Sequence, residues 1–465
     1  MSVLEERYAS AAMKEIWSKE SKIRLERKLW IAVMKAQAKA GISIPLKAIA
    51  EYEKVIDVID LRSIREREEV LHHDVKARIE EFNHLAGHQF IHLGMTSRDL
   101  TENVELIQIR EGLKLIRFKT AALLHNLSTF ILKYSELPIV ARTHNVPAQV
   151  TTLGRRFASW TEELLFASDH LEQLIERLPI RGIKSAIGTS SDLELLLPNS
   201  SKSVAESLIE EFSFKNVLIS PSQIYPRSLD LEVISTLNQV SASLSNMAIN
   251  IRLMSGNKLI SEVFEGDQTG SSAMPHKVNP RLSERVNSLH VILKGFLTMA
   301  SEVSGSQWNE GDVSCSAVRR VALPDSFFAI DAAIDTMIYL IISLQVYEEN
   351  IQLELKEFLP ELLSSSILML AVRSGIGRED AHKKIKSYAL ESEENRLKGE
   401  NSTFIDLIVA DKSLGILRES IEELLVSPIK LSGLAAQQNQ KLIHLIQNKI
   451  ADFPGSRTYK PGTIL

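Results

Sequence analysis

Apolar residues recur along this chain at helical rather than strand spacing. Val233, Leu237, Val240, Leu244, Met247, Ile251 and Met254 follow one another in alternating steps of four and three. Phe327, Ile330, Ile334, Met337, Ile341 and Leu344 keep the same alternation. A 3.5-residue period marks helices that pack almost side by side with a slight left-handed twist. Ile234 and Ile249 flank the first stripe, and Ile338 and Ile342 the second, so each helix needs cover on more than one face. The pattern predicts a bundle thicker than a hairpin, and helices of this kind usually bury their remaining faces against further subunits. A third long helix is predicted from about Asp99 to Leu137, ended by Pro138. No convincing run of alternating strands is present. The fold class is therefore read as all-α, with an N-terminal helical domain over 1–97, a central long-helix bundle over 98–349 and a smaller C-terminal helical domain over 350–465.

Composition adds exclusions. The chain has 465 residues, 44% of them hydrophobic and 24% charged, with a formal net charge of −5. Basic residues are interleaved with acids, as in Ile64-Arg65-Glu66-Arg67-Glu68-Glu69, so no nucleic-acid partner is expected. The single cysteine, Cys315, excludes an intrachain disulfide and any multi-cysteine zinc site. No basic-then-apolar leader opens the chain, and the longest apolar run, near Met337 to Leu344, is too short to span a bilayer. A cytoplasmic protein with no membrane partner is expected. His84, His88 and His92 are spaced by four. Read as successive turns of one helix they cannot converge on one ion, and no metal is expected. Neither a GxGxxG turn nor a P-loop is present.

The segment with the most chemistry is Gly270-Ser271-Ser272-Ala273-Met274-Pro275-His276-Lys277-Val278-Asn279-Pro280. Gly270, Pro275 and Pro280 interrupt any regular element, and the run has too little apolar surface to fold for its own sake. It reads as a loop presenting hydroxyl, ammonium and amide groups to a ligand. The segment resembles the signature loop of the fumarase/aspartase superfamily. Its wider context, from Asn250-Ile251-Arg252-Leu253 to Ser283-Glu284-Arg285, resembles the adenylosuccinate lyase branch. The resemblance implies an all-helical homotetramer in which the central helices of four subunits form one bundle and each active site gathers loops from three chains. It also implies fumarate release from a small-molecule substrate, a succinylated purine nucleotide, with no metal or organic cofactor.

Such an elimination needs a base for a carbon-bound proton, donors for the charge that builds on the adjacent carboxylate, an acid for the leaving nitrogen, and an anchor for the rest of the substrate. The resemblance assigns the base to Ser271. A serine hydroxyl acts as a base only where positive potential stabilises its alkoxide, and Lys277 can supply it. Lys277 and Asn279 match positions that bind a substrate carboxylate. No GxSxG elbow surrounds Ser271, which argues against a nucleophilic serine. Arg142-Thr143-His144-Asn145-Val146-Pro147-Ala148-Gln149 resembles the segment whose histidine is the general acid, making His144 the acid and Thr143 a carboxylate contact. In Leu71-His72-His73-Asp74-Val75 the resemblance gives His73 a catalytic role at the leaving-group end, with Asp74 beside it and His72 as contacts. Ile91-His92-Leu93-Gly94-Met95-Thr96-Ser97 resembles a His-x-Gly-x-Thr-Ser turn, so His92, Thr96 and Ser97 are expected at the substrate, just before a helix N-terminus that favours an anion.

Arg7, Tyr8, Gln223, Arg285, Ser316 and Arg320 match the positions that hold the nucleotide part. Two positions depart from the branch pattern, because His72 and Gly311 stand where it usually carries arginine. Loss of a fork-shaped donor to phosphate removes about 1.5–3 kcal/mol of charge-assisted hydrogen bonding. These departures bear on the leaving group and leave open a sister lyase that releases fumarate from another N-succinyl or substituted-succinate compound. A catalytically silent homologue is the third reading, against which Ser271, Lys277, Asn279, His144 and His73 all argue.

Overall fold

The computed structural model of the chain describes residues 2–262, Met274 and 278–462. Six helices open it: α1 (Val3–Arg7), α2 (Ala11–Trp17), α3 (Lys19–Ala40), α4 (Leu46–Lys54), α5 (Leu61–Leu71) and α6 (Asp74–Ala86). The bundle follows, built from α7 (Ser97–Lys133), α8 (Leu153–Arg177), α11 (Ser228–Gly256), α12 (Arg281–Val303) and α13 (Ser316–Ser343). Two short helices, α9 (Ser191–Leu196) and α10 (Ser201–Phe212), interrupt it between α8 and α11. The chain closes with α14 (Glu348–Leu362), α15 (Ser364–Arg373), α16 (Arg378–Leu397), α17 (Phe404–Ala410), α18 (Arg418–Val426) and α19 (Ala435–Lys449).

Within the bundle α11 lies against α8, α12 and α13, while α7 lies against α8 and α13. All seven residues of the 233–254 stripe are buried, the most exposed being Met254 at 4%. Phe327, Ile330, Ile334, Met337 and Ile341 are buried as well. Each such side chain stabilises the bundle by about 1.5–3 kcal/mol. Gly112 sets the closeness of α7 to α13, since a Cβ there would lie 2.7 Å from the Phe327 ring. The fold is all-α, as the spacing predicts. Ile249 and Leu253 on α11, Val291 on α12 and Ile342 on α13 stay exposed on the outside of the same bundle.

Three expectations are corrected. The helix predicted to reach Leu137 ends at Lys133, and strands follow it. β1 (Pro138–Thr143) and β2 (Val146–Thr152) form an antiparallel hairpin with Thr143 opposite Val146. Val140 and Val150 on this hairpin are buried against Leu355 and Leu359 of α14. A second small pair joins β3 (Ile260–Ser261) to β4 (Gln345–Val346). Finally, α13 as a whole is long and apolar enough to cross a membrane by composition, although the apolar run first noticed is shorter. Its most apolar window is 83% buried inside the protein, the position of a core helix.

Buried charges tie the ends of the chain to the bundle. Lys119 Nζ on α7 reaches Asp331 Oδ1 at 2.5 Å and Asp335 Oδ2 at 2.6 Å on α13. The Ser10 N–H donates to Asp331 at 2.7 Å, and the Tyr459 hydroxyl to Asp335 at 2.9 Å. α19 returns to pack on α7 and α8. Residues 363–421 form a separate small core around Ile367, Ala381, Phe404 and Ile408.

Candidate active site

The first turns of α7 bury Asp99, Glu102 and Asn103. The Thr96 N–H donates to Asp99 Oδ2 at 2.8 Å. Asp99 also accepts from Arg181 Nη1 at 2.5 Å and from the N–H groups of Lys184 and Ser185 at 2.7 and 3.2 Å. This ties the segment after α8 to the helix start and leaves Thr96 and Ser97 half-buried at its end. Further along, Glu102 accepts from Arg227 Nη2 at 2.8 Å and from the Tyr225 N–H at 3.1 Å. Arg319 Nε bonds Asp230 Oδ2 at 2.6 Å, and its Nη2 lies 2.9 Å from Glu105.

These contacts gather three separately expected pieces at one end of the bundle: Thr96 and Ser97, the Gln223 loop, and the start of α13 with Ser316 and Arg320. From Ser97 to Glu105 is about 12 Å along the helix. The Gln223 N–H donates to the Glu310 carbonyl at 2.8 Å, and Gln307 Nε2 to Ser222 Oγ at 2.7 Å, which joins the two loops. Gly311 sits in that seam at φ +149°, where a Cβ would be 3.1 Å from the Gln223 Cβ. A position read from the sequence as a missing arginine is thus one whose backbone and neighbour both favour glycine. Arg319 is buried in its carboxylates while Arg320, next to it, is exposed.

A second group forms where α5 gives way to α6. His72 is exposed in a left-handed conformation (φ 51°) at the end of α5. His73 caps α6, its Nδ1 accepting the Lys76 N–H at 3.3 Å. Asp74 Oδ1 lies 3.9 Å from that nitrogen. Burial opposes ionisation of Asp74, but Arg78 and the Val75 N–H outweigh it and hold the carboxyl below its usual range. His92 lies close enough to feel His73 and Lys76. Burial first, and then these two groups, push its imidazole down to about 4. The Trp30 indole N–H donates to His92 Nδ1 at 3.0 Å. The three histidines spaced by four are not on one helix, because α6 ends at Ala86 and Gly87 turns the chain with φ 72°. His88 pairs with Glu51, and His92 with Trp30.

A third group brings the N-terminus to α12. The Arg285 guanidinium stacks 5.6 Å from the Tyr8 ring centroid, and Arg7 lies 5.9 Å from the same ring. Burial, together with neighbouring Arg281 and Arg7, lowers the Arg285 pKa from its ordinary value. Asn279 lies two residues before this helix, and the Arg281 N–H donates to its carbonyl at 2.8 Å. Glu262 holds the helix start from across the intervening sequence, accepting from the Leu282 and Ser283 N–H groups at 2.8 and 2.9 Å. Ser271 and Lys277 lie outside the described residues.

Thr143 and His144 stand apart from these groups. Between β1 and β2 only His144 and Asn145 turn the chain, with φ 52° and 63°. Two positive φ values in a two-residue hairpin loop define a type I′ turn. Thr143, His144 and Asn145 are all exposed at its tip. The hairpin presents its imidazole outward.

The comparisons with known proteins decide the family. Residues 6–293 match the family described as Lyase, and residues 360–442 match the one described as Adenylosuccinate lyase C-terminus. The adenylosuccinate lyase of Saccharomyces cerevisiae is 32% identical over 453 residues, covering 95% of this chain and 93% of its own. This chain belongs to the adenylosuccinate lyase family. A further relative, the adenylosuccinate lyase of Archaeoglobus fulgidus, is 29% identical over 95% of this chain and 97% of its own. In three dimensions the chain is similar to the 3-carboxy-cis,cis-muconate lactonizing enzyme of Pseudomonas putida, with a TM-score of 0.84, 21% identity, and coverage of 96% of this chain and 99% of that one. It is also similar to a fumarate lyase from Mesorhizobium sp. BNC1, with a TM-score of 0.82, 20% identity, and coverage of 94% and 99%. These two share the fold. The chain is accordingly a lyase.

Against this family background, the residues that sequence reasoning missed are supports: Asp99, Glu102, Arg227, Asp230, Arg319, Trp30 and Glu262. Each is polar or amphipathic and buried. Charged residues falling on the buried stripe of a long helix, as Asp99 and Glu102 do, are the signal that could have found them.

Proposed function

We propose that this lyase eliminates fumarate from succinyl-AMP to give AMP, and from the succinylated imidazole carboxamide ribotide in the same way, as a homotetramer with shared active sites. The Ser271 alkoxide takes a proton from the carbon β to nitrogen. That electron pair becomes the new carbon–carbon double bond, the carbon–nitrogen bond breaks, and His144 gives its proton to the leaving nitrogen. Lys277 and Asn279 hold the carboxylate on which charge builds, with Thr143, Thr96 and Ser97 as further donors. His73, with Asp74, serves the leaving-group end beside His72 and His92. Arg7, Tyr8, Gln223, Arg285, Ser316 and Arg320 hold the nucleotide.

The observation that carries this reading is the hairpin. An acid placed at the exposed tip of a type I′ turn suits delivery into a neighbour's site. The exposed apolar residues Ile249, Leu253, Val291 and Ile342 supply bundle faces for such neighbours. The test follows fumarate in the ultraviolet, from succinyl-AMP and from argininosuccinate. Turnover of the first alone supports the reading, and turnover of neither rejects it. Mixing inactive His144→Ala and Ser271→Ala subunits should restore part of the activity in hybrid tetramers. Mixtures that stay silent after subunit exchange would place both groups in one chain's site.

A further inference from the structure

The structure points to Trp30 as a positioning residue. We infer that its indole N–H fixes His92 as a neutral imidazole protonated at Nε2, so that His92 acts at this end of the site as a hydrogen-bond donor. The inference rests on the reading of residues 72–97 as part of the elimination site.

The argument is one of donors and acceptors. An indole nitrogen donates and cannot accept. The nitrogen it addresses, His92 Nδ1 at 3.0 Å, must therefore present a lone pair, and the single proton of the neutral ring resides on Nε2. A second proton on Nδ1 would set two N–H groups face to face, so an imidazolium here must first break the bond to Trp30. Nothing offers Trp30 an easy way to yield. It is 1% exposed and its ring is stacked with Phe82 at 6.2 Å between centroids. The His92 backbone is held as well, at φ 64°, with Gln37 Nε2 donating to the next carbonyl, that of Leu93, at 2.8 Å.

The groups around His92 agree. From α6 it feels His73 and Lys76, and from α3 the uncharged indole donates to it. Burial and both α6 groups oppose a positive charge on His92. His73 differs, because its Nδ1 accepts a backbone N–H at a longer 3.3 Å and has the Asp74 carboxylate beside it. His73 is exposed and Lys76 is solvated, so rearrangement there meets little packing. One ring is locked as a donor, and its neighbour is held less tightly.

The test removes only the N–H. Trp30→benzothienylalanine, installed at that position, keeps the bicyclic shape and replaces the donor with sulfur. Histidine ring nitrogens are followed by ¹⁵N NMR in the whole protein, with His92→Gln identifying the His92 signals. The wild-type protein should show an unprotonated Nδ1 and a protonated Nε2 at all pH values down to about 5.5. The Trp30 variant should take up its second proton at least about one pH unit higher. The acid limb of kcat/KM should then gain a second ionisation, and activity at pH 5 should fall by about half relative to pH 8 through this group. Adding His92→Gln to the Trp30 variant should remove that extra ionisation. A wild-type His92 protonated at Nδ1, or NMR titrations that coincide in the two proteins, would overturn the inference. The NMR comparison stands without turnover, so failure of the proposed activity would leave it readable. If the second ionisation persists with glutamine at position 92, Trp30 acts through another group and the inference is again overturned.

Discussion

Glu262 should be worth more to this protein than a surface carboxylate, because it caps a helix to which it is not adjacent in sequence. α12 begins after Pro280, which offers no side-chain cap. Glu262, 4% exposed, fills the gap: Oε2 accepts the Leu282 N–H at 2.8 Å, while Oε1 accepts the Ser283 N–H at 2.9 Å and the Ser283 hydroxyl at 2.7 Å. An anion at this point also faces the positive end of the helix dipole. Glu262→Ala removes a cap worth about 1–2 kcal/mol. It also leaves buried Ser283 donors unsatisfied at about 1–3 kcal/mol, whereas water can reach half-buried Leu282. The expected loss is about 3 kcal/mol in total. Glu262→Gln keeps one oxygen for Ser283 but turns an N–H₂ toward the Leu282 N–H, so it should cost about 1.5–3 kcal/mol. Arg285 lies one turn into the same helix, and Asn279 just before it. A displaced helix start should therefore lower kcat/KM about 10- to 100-fold in the alanine variant, equivalent to about 1.4–2.8 kcal/mol. Urea unfolding at fixed protein concentration and initial rates of fumarate release measure the two effects. A Glu262→Ala protein with wild-type urea midpoint and turnover would refute the reasoning, as would a glutamine variant weaker than the alanine one.

Four further outcomes are expected. Gly311→Ala should cost about 1–3 kcal/mol through its +149° φ and its contact with Gln223. Gly311→Arg should weaken rather than tighten binding of a phosphorylated substrate, and titration with AMP checks this. Arg319→Met should destabilise the protein by about 3–5 kcal/mol, since Asp230 and Glu102 lose a buried partner, and thermal unfolding by circular dichroism would show it. The carboxyl of Asp74 has a lowered pKa in the folded chain. Its contribution is thus present above the unfolded value of about 3.9 and is lost as pH falls through the depressed folded value. Asp74→Asn should flatten the loss of stability below about pH 4 and change the midpoint least in that acid limit. A mutant whose acid limb parallels the wild type would contradict this.

The bundle was legible because a 3.5-residue stripe can be satisfied in only one way, and every stripe residue from Val233 to Met254 is indeed buried. The hairpin was not. Pro147 sits within β2, and the turn is His144-Asn145 rather than a glycine-bearing pair, so neither usual strand signal was available. The histidines at 84, 88 and 92 misled for a related reason: periodicity continued through Gly87, where the helix stops. The candidate site was read from motifs, and motifs did not reveal its supports. Periodicity gives the face a residue occupies but not its partner, and Arg319 meets Asp230, Glu102 and Glu105 across elements far apart in the chain.

The buried charges explain why one of two adjacent arginines can serve a ligand. Glu102, Glu105 and Asp230 bring three negative charges, and Arg227, Arg319 and the half-buried Arg98 bring three positive ones, with Arg98 at 3.2 Å from Glu102. The set is balanced within itself. It needs nothing from the ligand and offers it no net charge, which suits a rigid wall better than a binding surface. Arg320 lies outside this balance, exposed on the first turns of α13, and no carboxylate lies within ion-pair distance of it among the described residues. Its helix start adds the favourable end of a dipole. A phosphate arriving there meets an uncompensated guanidinium on a helix that the neighbouring network holds still. Were Arg319 the phosphate ligand instead, binding would have to pull it from three carboxylates, at a cost that a single phosphate contact of about 1.5–3 kcal/mol does not offset.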